Sequence, residues 1–366
     1  MSDLQNDQNS KSDAPTGVLG WLGERYQIQG LIDYLAKKEV PSYRHSFWYY
    51  MGGLSLLFFM VQIVTGILLL FYYTPGKEAY SSVKFIVEKV EFGWLIRSIH
   101  SYAANLMVFF VFVHMFSVIF MKAYRRPREL TYITGFILLA LSMGMGFSGY
   151  LLPWDELAFF ATKIGMNITE SVPLIGPIMA GMLKGGPEVG FDTISRFFAL
   201  HVWGIPLLMI GVLGAHMFFL QVQGISEPDG FKALPVEKQK RVKFFPTFMY
   251  DDFLIWLIAL NGLIVLAVFF PWGLGPEANV MAPTPEGIHP EWYFMAMFQI
   301  LKILPNIGPL ESEHIGNIIF GLTGAILALI PFWGNNRERL VSYFTIAVLA
   351  GLIIFSILAY HAVGSI

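Results

Sequence analysis

The stretch Arg97–Met121 reads RSIHSYAANLMVFFVFVHMFSVIFM: 25 residues in which Arg97, at the edge, is the one formally charged side chain. As a helix rising about 1.5 Å per residue it is long enough to cross the ~30 Å hydrocarbon core of a bilayer. It carries two histidines, His100 and His114, and a second apolar stretch, Phe197–Gln221, carries two more, His201 and His216. A helix turns about 100° per residue, so a separation of 14 leaves two side chains about 40° apart and one of 15 leaves them about 60° apart. Each pair therefore shares a face, its members roughly 21 Å apart along the axis. With both helices entering from the same side, the chain presents two His–His pairs at two depths.

The rest of the chain agrees with a membrane setting. Hydrophobic residues make up 55% and charged ones 14%, against about 25% charged in an ordinary soluble domain, and the mean hydropathy is +0.58. Seven apolar segments are long enough to span: roughly Phe47 to Tyr73, Arg97 to Met121, Thr131 to Leu152, Phe197 to Gln221, Phe253 to Trp272, Ile315 to Trp333 and Val341 to Tyr360. The fold expected is an all-α integral membrane protein with seven transmembrane helices, four in a bundle that carries the histidines and three after it. Residues 1–46 form a polar tail with an amphipathic stretch from Trp21 to Lys38, residues 47–222 the bundle, 223–252 a charged linker, and 253–366 the C-terminal three-helix part. No charged n-region runs directly into an apolar core with a cleavage site, so no signal peptide is expected.

Of the 24 Lys and Arg residues, 16 fall in the N-tail, Lys122–Leu130, Val222–Asp252 and Gly334–Leu340. That bias predicts a cytoplasmic N-terminus and, with seven spans, an outside C-terminus. The net charge of −2 argues against a nucleic-acid partner. With no cysteine the chain offers no disulfide, thiolate metal site, Cys-ligated iron–sulfur cluster or thioether-linked haem.

A lone membrane histidine is often a buried imidazole bonded to a neighbouring helix. Four in matched pairs are better explained as ligands, since ionisable groups inside a membrane are costly and default to function. A proton relay would normally bring carboxylates into the spans, and there are none. Two bis-histidine b haems fit, with His100 paired to His201 and His114 to His216. Two axial imidazoles leave the iron no open position, which suits electron transfer. Gly52 and Gly66 on the first helix are also 14 apart, as are Gly135 and Gly149 on the third, bare backbone where a porphyrin can approach.

Four motifs then bring a family into view: Phe92-Gly93-Trp94-Leu95-Ile96-Arg97-Ser98-Ile99-His100, Pro127-Arg128-Glu129-Leu130-Thr131, Gly149-Tyr150-Leu151-Leu152-Pro153-Trp154-Asp155 and Pro290-Glu291-Trp292-Tyr293-Phe294. In these, and over nearly its whole length from about Trp21, the chain resembles the cytochrome b subunit of cytochrome bc complexes. The fourth-helix spacing of 15 and the Leu-Pro-Trp-Asp wording resemble the chloroplast-type branch, with its haem-carrying and three-helix subunits fused in one chain. Departures from that branch are Tyr50, where a cysteine tethers an extra haem, Ser101 for an arginine and Gln221 for a basic residue.

The resemblance implies a quinol–cytochrome c oxidoreductase that splits quinol electrons between a Rieske iron–sulfur protein, leading to a c-type cytochrome subunit, and two non-covalent haems that carry electrons across the membrane, coupled to proton translocation. It implies quinol and quinone as substrates, a bacterial inner (plasma) membrane location, a homodimer of the complex and, from Tyr50 and the missing cysteine, no covalent haem on this chain. Glu291 is then the expected proton acceptor, with Tyr293, Tyr150 and Trp154 around it; as bare aromatics the last two would more often be interface anchors. Arg97 and Arg128 are candidates for haem propionates, the latter equally a topology charge. Asp33 and Lys38 are candidates for an inner quinone site or a solvated face. Two other classes stay open: a dihaem membrane anchor without a quinol-splitting site, and a transporter with structural histidines.

Overall fold

Away from water a single chain can satisfy its own backbone N–H and C=O groups by forming α-helices, and the long apolar runs do so. The structure is a computed structural model that describes residues 17–26, 30, 37–42, 46–308 and 310–364; Asp33 lies outside them. In chain order the main helices are α1 (Val18–Tyr26), α2 (Tyr50–Leu70), α3 (Ala79–Glu88), α4 (Gly93–Phe120), α5 (Glu129–Tyr150), α6 (Glu156–Glu170) and α7 (Gly176–Lys184). They continue with α8 (Phe191–Ala199), α9 (Ile205–Gln223), α10 (Met249–Phe269), α11 (Trp292–Ile303), α12 (Ser312–Ala328) and α13 (Glu338–Gly364).

Among the described residues six helical stretches are long and apolar enough to cross a membrane: Phe47–Leu70, Gly93–Phe120, Glu129–Tyr150, Phe191–Gln223, Phe244–Phe269 and Glu338–Ala362. Their outward faces are apolar and uncovered by protein, with Ile258 72% and Leu207 68% exposed, as lipid contact requires. The chain is an integral membrane protein. The segment expected to span from Ile315 to Trp333 takes another form: α12 has 17 residues and ends before Leu329, and a separate turn, Ile330–Trp333, follows. Pro331 has no N–H to continue the helical ladder.

Helix α2 packs along α4 and α9 along α5, whereas the histidine-bearing pair α4 and α9 is absent from the closely packed pairs. The C-terminal part is fastened to this bundle. Helix α10 lies on α2 and α4, and the Tyr132 hydroxyl of α5 donates to Leu327 O of α12 at 2.9 Å. At the charged end Arg125 pairs with Asp229 at 2.7 Å and with Glu338 at 2.8 Å, joining the bundle, linker and last helix. Strands β1 (Glu39–Pro41) and β2 (Arg241–Lys243) pair antiparallel, Val40 opposite Val242, and hold the N-terminal segment to the linker.

At the opposite end the Leu-Pro-Trp-Asp run anchors the long loop after α10. Asp155 caps α6 by accepting from Ala158 N at 3.0 Å, and its other carboxylate oxygen accepts from Gly275 N at 3.3 Å. Tyr80 donates to Gly275 O, and Arg97 donates through one guanidinium nitrogen to the Trp272 and Gly273 carbonyls at 2.8 and 3.0 Å.

Candidate functional site: two histidine pairs and a carboxylate loop

The helix carrying His201 and His216 is not regular. Pro206 offers no N–H to residue 202, and Ile205 N–H reaches back five residues to Leu200 O, so Leu200–Gly204 forms a π-turn. One wide turn absorbs one extra residue. The spacing of 15 on this helix thereby matches the spacing of 14 on α4, and the pairs fall level. His100 and His201 lie with ring centroids 6.3 Å apart, and His114 and His216 are close enough to interact electrostatically. A first-row metal holds imidazole nitrogen at about 2 Å, which puts the centroids of two axial rings about 6 Å apart, as found for His100 and His201, termed the outer pair from the orientation expected of the charges, with His114 and His216 the inner pair.

The four glycines sit one to each histidine. A Cβ built on Gly52 would lie 3.1 Å from His114 Cε1, on Gly66 3.4 Å from His100 Cε1, on Gly135 3.2 Å from His216 Cε1 and on Gly149 2.5 Å from His201 Cε1. The sequence suggested glycines where a porphyrin touches backbone; in the structure their first effect is to let each imidazole lie against the neighbouring helix. Next to three of them stands a hydroxyl. Thr65 Oγ1 is 2.8 Å from His100 Nδ1, Thr134 Oγ1 3.1 Å from His216 Nδ1 and Ser148 Oγ 3.1 Å from His201 Nδ1, with Met145 O also 3.1 Å from the last. Thr65 and Thr134 each give their own proton to a carbonyl four residues back, so they accept from the ring. Nδ1 thus carries the proton, and Nε2 keeps its lone pair for a metal.

These hydroxyls were missed in reading the sequence, although the dipeptides Thr65-Gly66, Thr134-Gly135 and Ser148-Gly149 announce them. Arg128 donates to Gln223 O at 3.3 Å and keeps a buried Nε without a partner, an unspent donor near the inner pair. Cradle, tautomer and spare donor all fit an iron porphyrin held by two imidazoles at each depth.

The carboxylate loop adjoins the outer pair through the last two turns of α5. Tyr293 sets its hydroxyl against Gly146, where a Cβ would collide with it. Phe147 and Tyr150 line a cavity of about 20 Å³ together with Ala161, Pro290, Glu291 and Phe294. Adjacent to these positions in the same turns stand Met145, Ser148 and Gly149, the contacts of His201. Trp292 Nε1 donates to Asn105 Oδ1 of α4 at 2.8 Å, five residues beyond His100. Burial holds the Glu291 carboxyl above the ordinary carboxylate range, with His289 opposing; burial also raises the Tyr293 phenol, with Glu291 adding to it. The cavity has room for about one water, so a larger ring must widen it.

Not every expected residue joins this cavity. Trp154 is buried in the aromatic core against Phe159 and Phe191. Arg97 holds the loop after α10. At the inner end Lys38 donates to Gln221 Oε1 at 2.6 Å, and burial lowers its ammonium pKa; Tyr50 stacks on Phe248 at 4.8 Å. Asp252 was also missed. It keeps one buried carboxylate oxygen without a partner, close against Gly53, and the signal was a carboxylate pair, Asp251-Asp252, at the start of an apolar helix.

Comparison with known proteins gives this arrangement a family. Residues 35–224 match Cytochrome b/b6/petB, and residues 277–366 match Cytochrome b(C-terminal)/b6/petD. The chain is 48% identical over 354 residues to the "Cytochrome bc complex cytochrome b subunit" of Chlorobaculum thiosulfatiphilum, covering 95% of this chain and 81% of that protein. It is 44% identical to "Cytochrome b6" of Heliobacterium mobile over 57% of this chain and all of that one. A chain of a solved "Hyperthermophilic respiratory Complex III" superposes with a TM-score of 0.76 at 26% identity, covering 95% of this chain and all of that chain. With both family regions on one polypeptide and a relative nearly half identical along its length, this chain belongs to the cytochrome b/b6 family.

Proposed function

We propose that the protein is the membrane core of a quinol–cytochrome c oxidoreductase, and that it oxidises quinol at the Glu291 cavity. The observation that carries this reading is the sharing of α5: its last two turns hold His201 and line the Glu291 cavity. His100 with His201, and His114 with His216, hold two non-covalent b haems, which when bound supply reversible one-electron carriage between two depths of the membrane. The unpaired Nε of Arg128 and the guanidinium of Arg97 serve their propionates.

The chain's own part in oxidation is binding, orientation and proton handling. Tyr150, Phe147 and Phe294 form a dry wall for the quinol ring, and Glu291 accepts a hydrogen bond from its hydroxyl. As the two electrons depart by separate routes, Glu291 takes one of the two protons as a general base and releases it outside; its raised pKa suits that work near neutral pH. One electron goes to a Rieske iron–sulfur partner and on to a c-type cytochrome subunit, neither of which this cysteine-free chain can supply. The other crosses the membrane to quinone near Lys38, on the cytoplasmic side, where two such electrons, from two quinols oxidised, and two protons taken up from that side reduce one quinone.

The same reading gives α12 and its following turn the role of a seventh span, puts the N-terminus in the cytoplasm of a bacterial inner membrane and the C-terminus outside, and divides the chain into tail (1–46), dihaem bundle (47–222), linker (223–252) and three-helix part (253–366). It makes the working unit a homodimer of the complex and leaves no haem covalently attached here. The test is a redox titration of the purified complex with subunit identification. Two b-type transitions with this chain, alongside Rieske and c-type subunits, support it; a haem-free protein sinks it.

A further inference from the structure

Three of the four ligand histidines are held in the same way: a glycine lies against Cε1, and the residue before that glycine offers a hydroxyl to Nδ1. The fourth repeats the glycine without the hydroxyl. Gly52 meets His114 at Cε1 as the others meet theirs, with a built Cβ 3.1 Å from Cε1, 3.4 Å from Nε2 and 3.5 Å from Nδ1; the Nδ1 distances at Gly66, Gly135 and Gly149 are 4.0, 3.6 and 3.1 Å. The preceding residue, however, is Met51, 2% exposed and packed with Leu54 and Leu57. His114 Nδ1 is buried without a hydrogen-bond partner. A buried polar atom left unpaired in a native core calls for a reason.

We infer that Met51 tunes the inner haem by withholding from His114 the acceptor that the other three histidines have. The inference rests on the haem assignment above. A hydrogen bond from Nδ1–H pushes electron density onto Nε2 and makes the imidazole a stronger donor to iron, which favours the oxidised metal. His114 lacks that push, so its iron is the more readily reduced than it would be beside a hydroxyl, and the inner site draws electrons away from the outer one. Methionine is well suited to the place: it fills the core and offers only a weak sulfur acceptor. Met51 is in these terms a positioning residue, acting on the metal through its ligand.

The repeated geometry supplies the experiment. Threonine at position 51 would have the carbonyl of residue 47, four positions back in the turn Ser46–Tyr49, just as Thr65 uses Val61 O and Thr134 uses Leu130 O. Met51→Thr and Met51→Val have the same shape and differ by the hydroxyl, so both lose the same packing. Spectroelectrochemical titration of the assembled complex is expected to show one b-haem midpoint lower in Met51→Thr than in Met51→Val, with the other midpoint equal in the two. Equal inner midpoints in both variants, or a shift shared by both haems, would overturn the inference. Met51→Ser against Met51→Ala repeats the comparison in a smaller pair if the first fails to assemble. His114→Ala separates the two levels: loss of one haem upholds the ligand assignment, so that equal midpoints count against Met51 alone, whereas retention of both haems overturns the assignment and the inference with it.

Discussion

The outer and inner ends of the bundle are built from one plan and finished differently. At the outer end His100 and His201 both have hydroxyl partners, His201 a carbonyl besides. The neighbouring loops are tied down by Asp155, Tyr80 and Arg97. At the inner end His114 Nδ1, Arg128 Nε and one oxygen of Asp252 are buried and unpaired, as Thr162 Oγ1, Gln299 Oε1 and His314 Nδ1 are elsewhere, and the ties include the β1–β2 pairing and the ion pairs of Lys122, Arg125 and Asp229. Satisfied polar networks rigidify; unsatisfied ones leave donors and acceptors for something else. The difference lies at the histidines themselves: His100 and His201 both have a hydroxyl against Nδ1, whereas of the other pair His216 has one and His114 has none.

The sharpest way to break this comparison is to remove a ligand from each end. His100→Ala or His201→Ala is expected to abolish quinol oxidation and remove one haem, because both would hold the same haem and His201 also packs against the α5 turns that line the cavity. His114→Ala or His216→Ala should remove the other haem while the outer site still binds quinol. Haem counts by pyridine haemochrome and binding of a quinol-site inhibitor read the two separately. Equal damage to quinol binding from both ends would mean that the ends are not independent.

Next in size is Glu291→Gln. A general base contributes about 10²–10⁴ in rate, so steady-state quinol oxidation should fall by that order with both haems retained. The direction of the pH effect follows from the burial that raises this carboxyl above its ordinary value of 4.5. The base form is lost as pH falls through the raised pKa, so the wild-type rate should drop there and that limb should be missing in the variant. A variant that keeps both the rate and the limb excludes Glu291 as the base.

A smaller effect compares glycines. At Gly149 a Cβ would lie 2.5 Å from the His201 ring, and at Gly66 3.4 Å from that of His100. Overpacking of a filled interior costs about 1–3 kcal/mol, so Gly149→Ala should weaken haem retention in detergent, measured as haem lost on heating, while Gly66→Ala stays close to wild type. The reverse order would show that the imidazole at His201 has room to move.

Much of this was legible before any coordinates. Spacing put the histidines two to a face on each of two helices, because helical periodicity is local and survives in lipid, and the Glu291 loop was marked by its motif. The sequence could not show that Pro206 opens a π-turn, since many membrane helices absorb a proline by kinking; without that turn the spacing of 15 stays one residue, about 100°, out of step with the spacing of 14. Trp154 looked like a pocket residue because it follows Tyr150, yet a left-handed backbone at Trp154 (φ 53) leads into the buried packing against Phe159. Which aromatic faces a cavity depends on such turns, and these are tertiary facts. The break at Leu329 was hidden for a related reason: Pro331 lies inside an apolar run whose hydropathy alone reads as continuous.

The smallest expected effect tests whether the inner end depends on its ion pairs. Asp229 accepts from Lys122 at 2.9 Å and from Arg125 at 2.7 Å, but its side chain is 52% exposed. Exposed pairs are worth about 0.2–1 kcal/mol, and Arg125 keeps Glu338 at 2.8 Å when Asp229 is neutralised. Asp229→Asn should therefore change the thermal unfolding of the complex little at neutral pH and leave both haem midpoints in place. Hydrogen bonds from Lys122 and Arg125 hold this carboxyl below its ordinary 3.8. What it contributes is thus fully present above that value and fades as pH falls through the lowered pKa, so any gap between wild type and variant should close only in strong acid. A large loss of stability at neutral pH would mean that this exposed corner, rather than the packing of α10 and α13, fastens the C-terminal part to the bundle.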